Sequence, residues 1–275
     1  MSETTTRRIN YAAGSIQSVL CIGLVVWLVS LESRKQTTVE NISFPIGEYN
    51  MPIGDGRDHG SVTLSPILIG LIIFTAVTAM VHLLVYTSAT YQNENVDRGQ
   101  NWVRWMEYAI TATIMAVVIA LTCGTNSTDS LILIAVATAC CMICGYISER
   151  TALTDRPVSR AATGIGWLLM MTVFGLIIRR FSSIYSQTTA ATGVGPPAFV
   201  WVIVVSMSIL FLSFGIIHLV HMAKQWRSTD DDPVSSQTHR RVEYVYTLTS
   251  MLAKALLVMS LGSGLLARSI EIESS

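Results

Sequence analysis

The run YVYTLTSMLAKALLVMSLGSGLLA (244–267) is apolar, long enough to cross a membrane, and carries one cation, Lys254, near its middle. A spanning helix needs about 20 such residues for a hydrocarbon core of about 30 Å. From Glu243 to Lys254 a helix rises about 16 Å, which puts the ammonium at the midplane. A bare charge there costs roughly 2.5 to 3.5 kcal/mol on insertion scales. The lysine therefore needs a partner, or a chemistry that changes it.

The rest of the chain belongs in the same solvent. Hydrophobic residues make up 51% and charged residues 13%, with a mean hydropathy of +0.51, whereas a soluble domain carries about a quarter charged residues. Seven apolar runs reach spanning length, at about 11–31, 66–87, 102–122, 129–148, 161–181, 197–221 and 243–268. The expectation is an all-α fold, a seven-transmembrane helix bundle forming one membrane domain over 1–275. Proline at Ser65-Pro66 and Pro196-Pro197 suits a helix start, Asp129 suits the N-cap of the fourth helix, and Asp155-Arg156-Pro157 breaks the chain before the fifth. The longest loop, 32–65, contains ISFPIGEYNMPIGDG, whose apolar residues and turn signals suggest a short external hairpin.

A formal net charge of zero and a pI near 6.9 leave no basic footprint for nucleic acid, and that class is excluded. Loop charges set the orientation. The N-terminal side carries 11 Lys and Arg residues, among them Arg7, Arg8, Arg150 and Arg156, against 6 on the other side. The positive-inside rule makes the N-terminus cytoplasmic and the C-terminus external in a multi-pass protein, with the plasma membrane as the expected location. The sequons at Asn41 and Asn126 fall in loops that this count places outside. Residues 1–31 lack the small-residue cleavage site of a signal peptide and read as a retained helix.

No GxxxxGK, HExxH or GxSxG motif is present, and the chain does not read as an enzyme. Cys141 and Cys144 form a CxxC on an apolar helix with no second pair nearby. All five cysteines read as small packing residues rather than metal ligands.

Glu107 is the acid that lies clearly within a span, about a turn and a half into the third helix from the side at which the seventh also enters. It can therefore meet Lys254. Thr247, Ser250 and Lys254 share a face of the seventh helix, Glu107 and Thr111 a face of the third, and Thr75, Thr78 and His82 a face of the second. Polar side chains at membrane depth turn inward, so these stripes imply one interior network. Two meanings remain open for the pair. It is a structural ion pair of a seven-helix receptor, or Lys254 is a desolvated amine that condenses with an aldehyde such as retinal and uses Glu107 as counterion. His82 alone reads first as a hydrogen-bonded packing residue, with a proton carrier as the alternative. Glu149, His218 and His221 lie near the cytoplasmic ends, where a solvated surface role is expected.

The strings RRINYAAG (7–14), RWMEYAITATIM (104–115) and SMLAKALL (250–257) resemble the heliorhodopsins, retinal proteins with a cytoplasmic N-terminus. The resemblance implies all-trans retinal as a Schiff base on Lys254, Glu107 as its counterion, Ser250 beside the imine, and His82 in a cytoplasmic-side polar cavity. Gln17 stands where the family often has a second histidine, and an amide cannot take up a proton. The pocket candidates, from helical spacing and from retinal pockets in general, are Tyr108, Thr111, Trp167, Met170, Phe174, Phe211 and Phe214. Aromatic and Met positions of this kind are also ordinary core packing. The implied function is a slow light sensor that moves the imine proton relative to Glu107 and shifts helices toward an unknown cytoplasmic signalling partner. A homodimer using the 32–65 loop is also implied. A light-gated proton channel is the alternative within the family.

Overall fold

In the computed structural model the chain forms seven long helices: α1 (Glu3–Lys35), α2 (Leu64–Leu84), α3 (Trp102–Thr122), α4 (Thr128–Thr151), α5 (Arg156–Thr192), α6 (Ala198–Arg227) and α7 (Ser236–Ser274). The described residues are 3–35, 64–88, 91, 95–125, 127–193, 198–229 and 233–274, and among them there is no β-strand. All seven helices are long and apolar enough to cross a membrane. The fold is therefore an all-α, membrane-spanning bundle. Nearly all of the 32–65 loop, with Asn41, and also Asn126, lies outside the described residues. The ends of that loop are helical, as α1 runs to Lys35 and α2 starts at Leu64.

Several helices outrun their apolar stretches, most clearly α1, α5 and α7. Hydropathy marks only what sits in hydrocarbon, whereas the backbone stays helical until a breaker intervenes. For α5 that breaker is Gly193, in the left-handed region at φ 71°, whose N–H donates to Thr189 O at 2.9 Å. At its start Asp155 is the N-cap, accepting from Val158 N at 3.1 Å, with Pro157 in the first turn. The cap of α4 differs from the sequence expectation. Ser127 accepts from Ser130 N, and Asp129 sits inside the first turn, where its charge still favours the helix dipole. Asn101 caps α3 through Arg104 N at 3.0 Å.

Sequential neighbours pack side by side and α7 returns to α1, closing the ring, while α3 reaches inward to α6. Lipid tails are as apolar as leucine, so the helices cohere by close packing and by polar contacts rather than by expulsion of water. Apolar side chains such as Val19, Leu84 and Leu168 accordingly stay on the outer surface. The interior divides along the bundle axis. One half is filled by Leu68, Leu71, Phe74, Ile119, Ile203, Leu257 and Leu261. The other half, toward the start of α1, holds the buried polar residues Asn10, Gln17, His82, Arg104, Glu107 and Glu149.

Candidate functional site

Lys254 and Glu107 meet at the boundary between those halves. Lys254 Nζ lies 2.6 Å from Glu107 Oε1, with both side chains sequestered from the surroundings. The ammonium also donates to Thr78 Oγ1 at 2.5 Å, and that hydroxyl donates onward to Glu107 Oε1 at 3.1 Å. Glu107 Oε2 accepts from the Tyr86 hydroxyl at 3.2 Å. The carboxylate thus has a charged donor and two hydroxyl donors, the kind of satisfaction a buried charge requires.

The three polar stripes converge only in part. Thr78 joins the pair directly, but Thr75 donates back to Leu71 O and Ile72 O of its own helix. His82 contacts Asn10 Oδ1 through Nδ1 at 3.0 Å and sets its ring edgewise to Tyr86, with centroids 4.8 Å apart. It reaches Glu107 through Tyr86 rather than by its own hydrogen bond. Gln17 is fully buried, and neither end of its amide meets a partner among the described residues. Ser250 faces the Tyr108 hydroxyl, which also donates to Tyr246 O at 3.5 Å. Thr247 turns away from the lysine. It lines a separate, small polar cavity with Asn10, Tyr86 and Glu243.

A larger cavity opens from Lys254 across the bundle to α4, α5 and α6. Of the sequence candidates, Tyr108, Thr111, Trp167, Met170, Phe211, Phe214 and Ser250 line it. Phe174 does not, but packs against Phe211 at a tilt of 49° with centroids 4.8 Å apart. The sequence reading missed Trp105, His218, Tyr246 and the small residues Gly145, Ala162, Gly166 and Gly215. Those glycines shape the walls. A Cβ on Gly145 would stand 2.2 Å from the Trp105 ring, and one on Gly215 would stand 2.9 Å from Trp167. Glycines recurring on facing apolar helices were the available signal.

A second buried cluster lies one turn back along α3. Arg104 pairs with Glu149 Oε1 of α4 at 2.7 Å and with Glu243 of α7, and its guanidinium lies 4.1 Å from the Tyr246 ring centroid. Trp105 Nε1 donates to Glu149 Oε2 at 2.6 Å, and Asn101 Nδ2 to Glu243 Oε2 at 2.9 Å. Burial raises the pKa of the Tyr91 phenol, which stays a donor to Asn101 Oδ1. The solvated role expected for Glu149, His218 and His221 is thus corrected. They are 2%, 7% and 2% exposed, because the end of α4 is sealed by α3 and α6 and Arg104 supplies the opposing charge.

The donor set fits an aldehyde-bearing polyene: a buried amine at one end of an apolar cavity, with its own carboxylate outside the cavity wall. No group of three or more His, Cys, Asp or Glu among the described residues is arranged to hold a metal ion. A comparison with curated proteins gives no match. The sequence model of one family, Heliorhodopsin, matches residues 6–266, nearly the whole chain, and the protein therefore belongs to the heliorhodopsin family.

Proposed function

We propose that this protein is a light sensor that carries all-trans retinal on Lys254 with Glu107 as counterion. Family membership implies a retinal-binding, light-sensing membrane protein, and the residue assignment rests on one observation above the others. The sole buried Lys–Glu contact among the described residues, at 2.6 Å, sits at the inner end of the apolar cavity. Retinal, when bound, supplies a visible chromophore that changes shape on absorbing light.

The chain's own residues then govern a proton. Glu107 holds it at the Lys254 nitrogen, and Thr78 bridges the two groups and fixes their geometry. Tyr86 donates to the far carboxylate oxygen and links it to His82, the nearest histidine. Gln17 offers no second proton acceptor there. Trp105 and Tyr246 form a cavity wall whose other side rests on the Arg104 cluster, so a change in cavity shape bears on contacts that join α3, α4 and α7.

The cation count supports a cytoplasmic N-terminus, which puts the polar half on the cytoplasmic side and makes that face the output surface. A homodimer in the plasma membrane, with the 32–65 loop contributing and a cytoplasmic partner reading the signal, completes the proposal. Conduction is disfavoured because Leu71, Phe74, Leu257 and Leu261 fill the bundle on the far side of the lysine.

The chain has three lysines, Lys35, Lys224 and Lys254. Borohydride reduction after addition of all-trans retinal, followed by peptide mapping, should place the label on Lys254. Label on Lys35 or Lys224 would overturn the assignment.

A further inference from the structure

We propose that the end of the cavity away from Lys254 is built for a retinoid carrying an oxygen on its ring, with His218 as the residue that binds that oxygen. The inference rests on the reading that Lys254 holds retinal and adds the class of retinoid.

His218, on α6, is 7% exposed and lines the cavity, yet neither ring nitrogen meets a hydrogen-bond partner among the described residues. A neutral imidazole presents one donor and one acceptor whichever tautomer it adopts. Leaving both unmade inside a bundle is costly, and such groups are rare unless something satisfies them. Most polar groups nearby are engaged elsewhere, although His221 Nδ1 also lacks a hydrogen-bond partner and lies 3.7 Å from Glu149 Oε1. His221, one turn on, contacts His239 Nδ1 and Gln225 Nε2, and Glu149 is taken by Arg104 and Trp105. Trp105 presents its ring to His218 edge to face, at 5.1 Å between centroids, and its indole N–H points away to Glu149.

His218 is not alone in this. The Tyr246 hydroxyl and the Trp167 indole N–H line the same cavity and also lack a partner among the described residues. Thr111 Oγ1, also on the lining, is a fourth such group, so unmade polar groups from α3, α5, α6 and α7 face one largely apolar cavity. Around them Gly145, Ala162 and Gly166 contribute no side chain beyond a methyl to the lining.

The position of the oxygen follows from the chemistry at the other end. When the Lys254 amine bonds the aldehyde carbon, the aldehyde oxygen leaves as water, so the polyene keeps no oxygen of its own. A hydrocarbon ring would press against His218 without satisfying it. A ring hydroxyl can donate to the bare imidazole nitrogen or accept from the protonated one.

The test is competition. Purified protein is offered equal amounts of all-trans retinal and all-trans 3-hydroxyretinal, and the bound chromophores are released with hydroxylamine and separated. One added neutral hydrogen bond predicts a preference of about twofold to tenfold for the hydroxylated form. His218→Phe, which keeps a ring against Trp105, should bring the ratio to about one. In the wild-type protein the ring-nitrogen NMR signals of His218 should differ between the form loaded with 3-hydroxyretinal and the form loaded with retinal, a reading that does not depend on the variant folding. A wild-type ratio of about one, a preference that survives His218→Phe, or His218 signals identical in the two loaded forms would overturn the proposal. Binding of neither chromophore would instead overturn the retinal reading beneath it.

Discussion

At the scale of single residues, the chemistry turns on how Glu107 is satisfied. It meets one full charge at 2.6 Å and two neutral hydroxyls at 3.1 and 3.2 Å, and charge-assisted hydrogen bonds are roughly twice as strong as neutral ones. Glu107→Gln should therefore red-shift the visible band, because positive charge delocalises along the polyene more easily once the counter-charge is gone. Tyr86→Phe, which removes only a neutral donor, should shift it the same way by less. Absorption maxima of the two variants check this ordering, and an unmoved maximum in Glu107→Gln would assign the counterion role to another group. The pairing of Lys254 with Glu107 was legible in the sequence because a charge inside an apolar run stands out and both helices enter from the same side. The Arg104, Glu149 and Glu243 cluster was not. Charges at span ends are ordinarily solvated, and only the packing of α4 and α7 against the start of α3 turns these inward.

At the scale of helices, glycines shape the cavity by admitting the aromatic rings that form its walls. Gly145 on α4 accepts the face of Trp105 so closely that an added methyl would stand 2.2 Å from the indole. Trp105 cannot simply swing aside, since its N–H is held by Glu149. Gly145→Ala should cost about 1 to 3 kcal/mol of stability, as overpacking of a tight contact does. Thermal unfolding in detergent checks it, with Gly164→Ala as the control, because nothing lies within 4 Å of a Cβ there. Helix number and order could be read from apolar runs, whereas their true ends could not, because helices such as α5 continue past the hydrocarbon until a residue like Gly193 stops them. The aromatic lining was partly legible from spacing. The glycines and His218 were not, since an apolar helix conceals which of its faces looks into a cavity and which into lipid.

At the scale of the whole molecule, the interior is polar toward the start of α1 and apolar beyond Lys254, filled there by Leu68, Leu71, Ile119, Leu257 and Leu261. In the proposed reading, a proton leaving Glu107 finds His82 toward the start of α1, whereas on the far side, among the described residues, only the threonines Thr75 and Thr111 interrupt the apolar filling next to it. Cells expressing the retinal-loaded protein should accordingly show no sustained photocurrent under voltage clamp, and a current whose sign follows the voltage would favour the channel reading. The same asymmetry gives orientation a consequence: in the proposed orientation, argued from 11 cations against 6, the polar half faces the cytoplasm. An N-terminal epitope tag should bind antibody only after the cells are permeabilised. The central claim is that Lys254 is the attachment point of a chromophore rather than one half of a structural ion pair. Its most direct test is the visible spectrum of wild-type protein and of Lys254→Ala, each purified after addition of all-trans retinal. The account predicts a visible band in the first and none in the second, and a band that survives the substitution unchanged would contradict it.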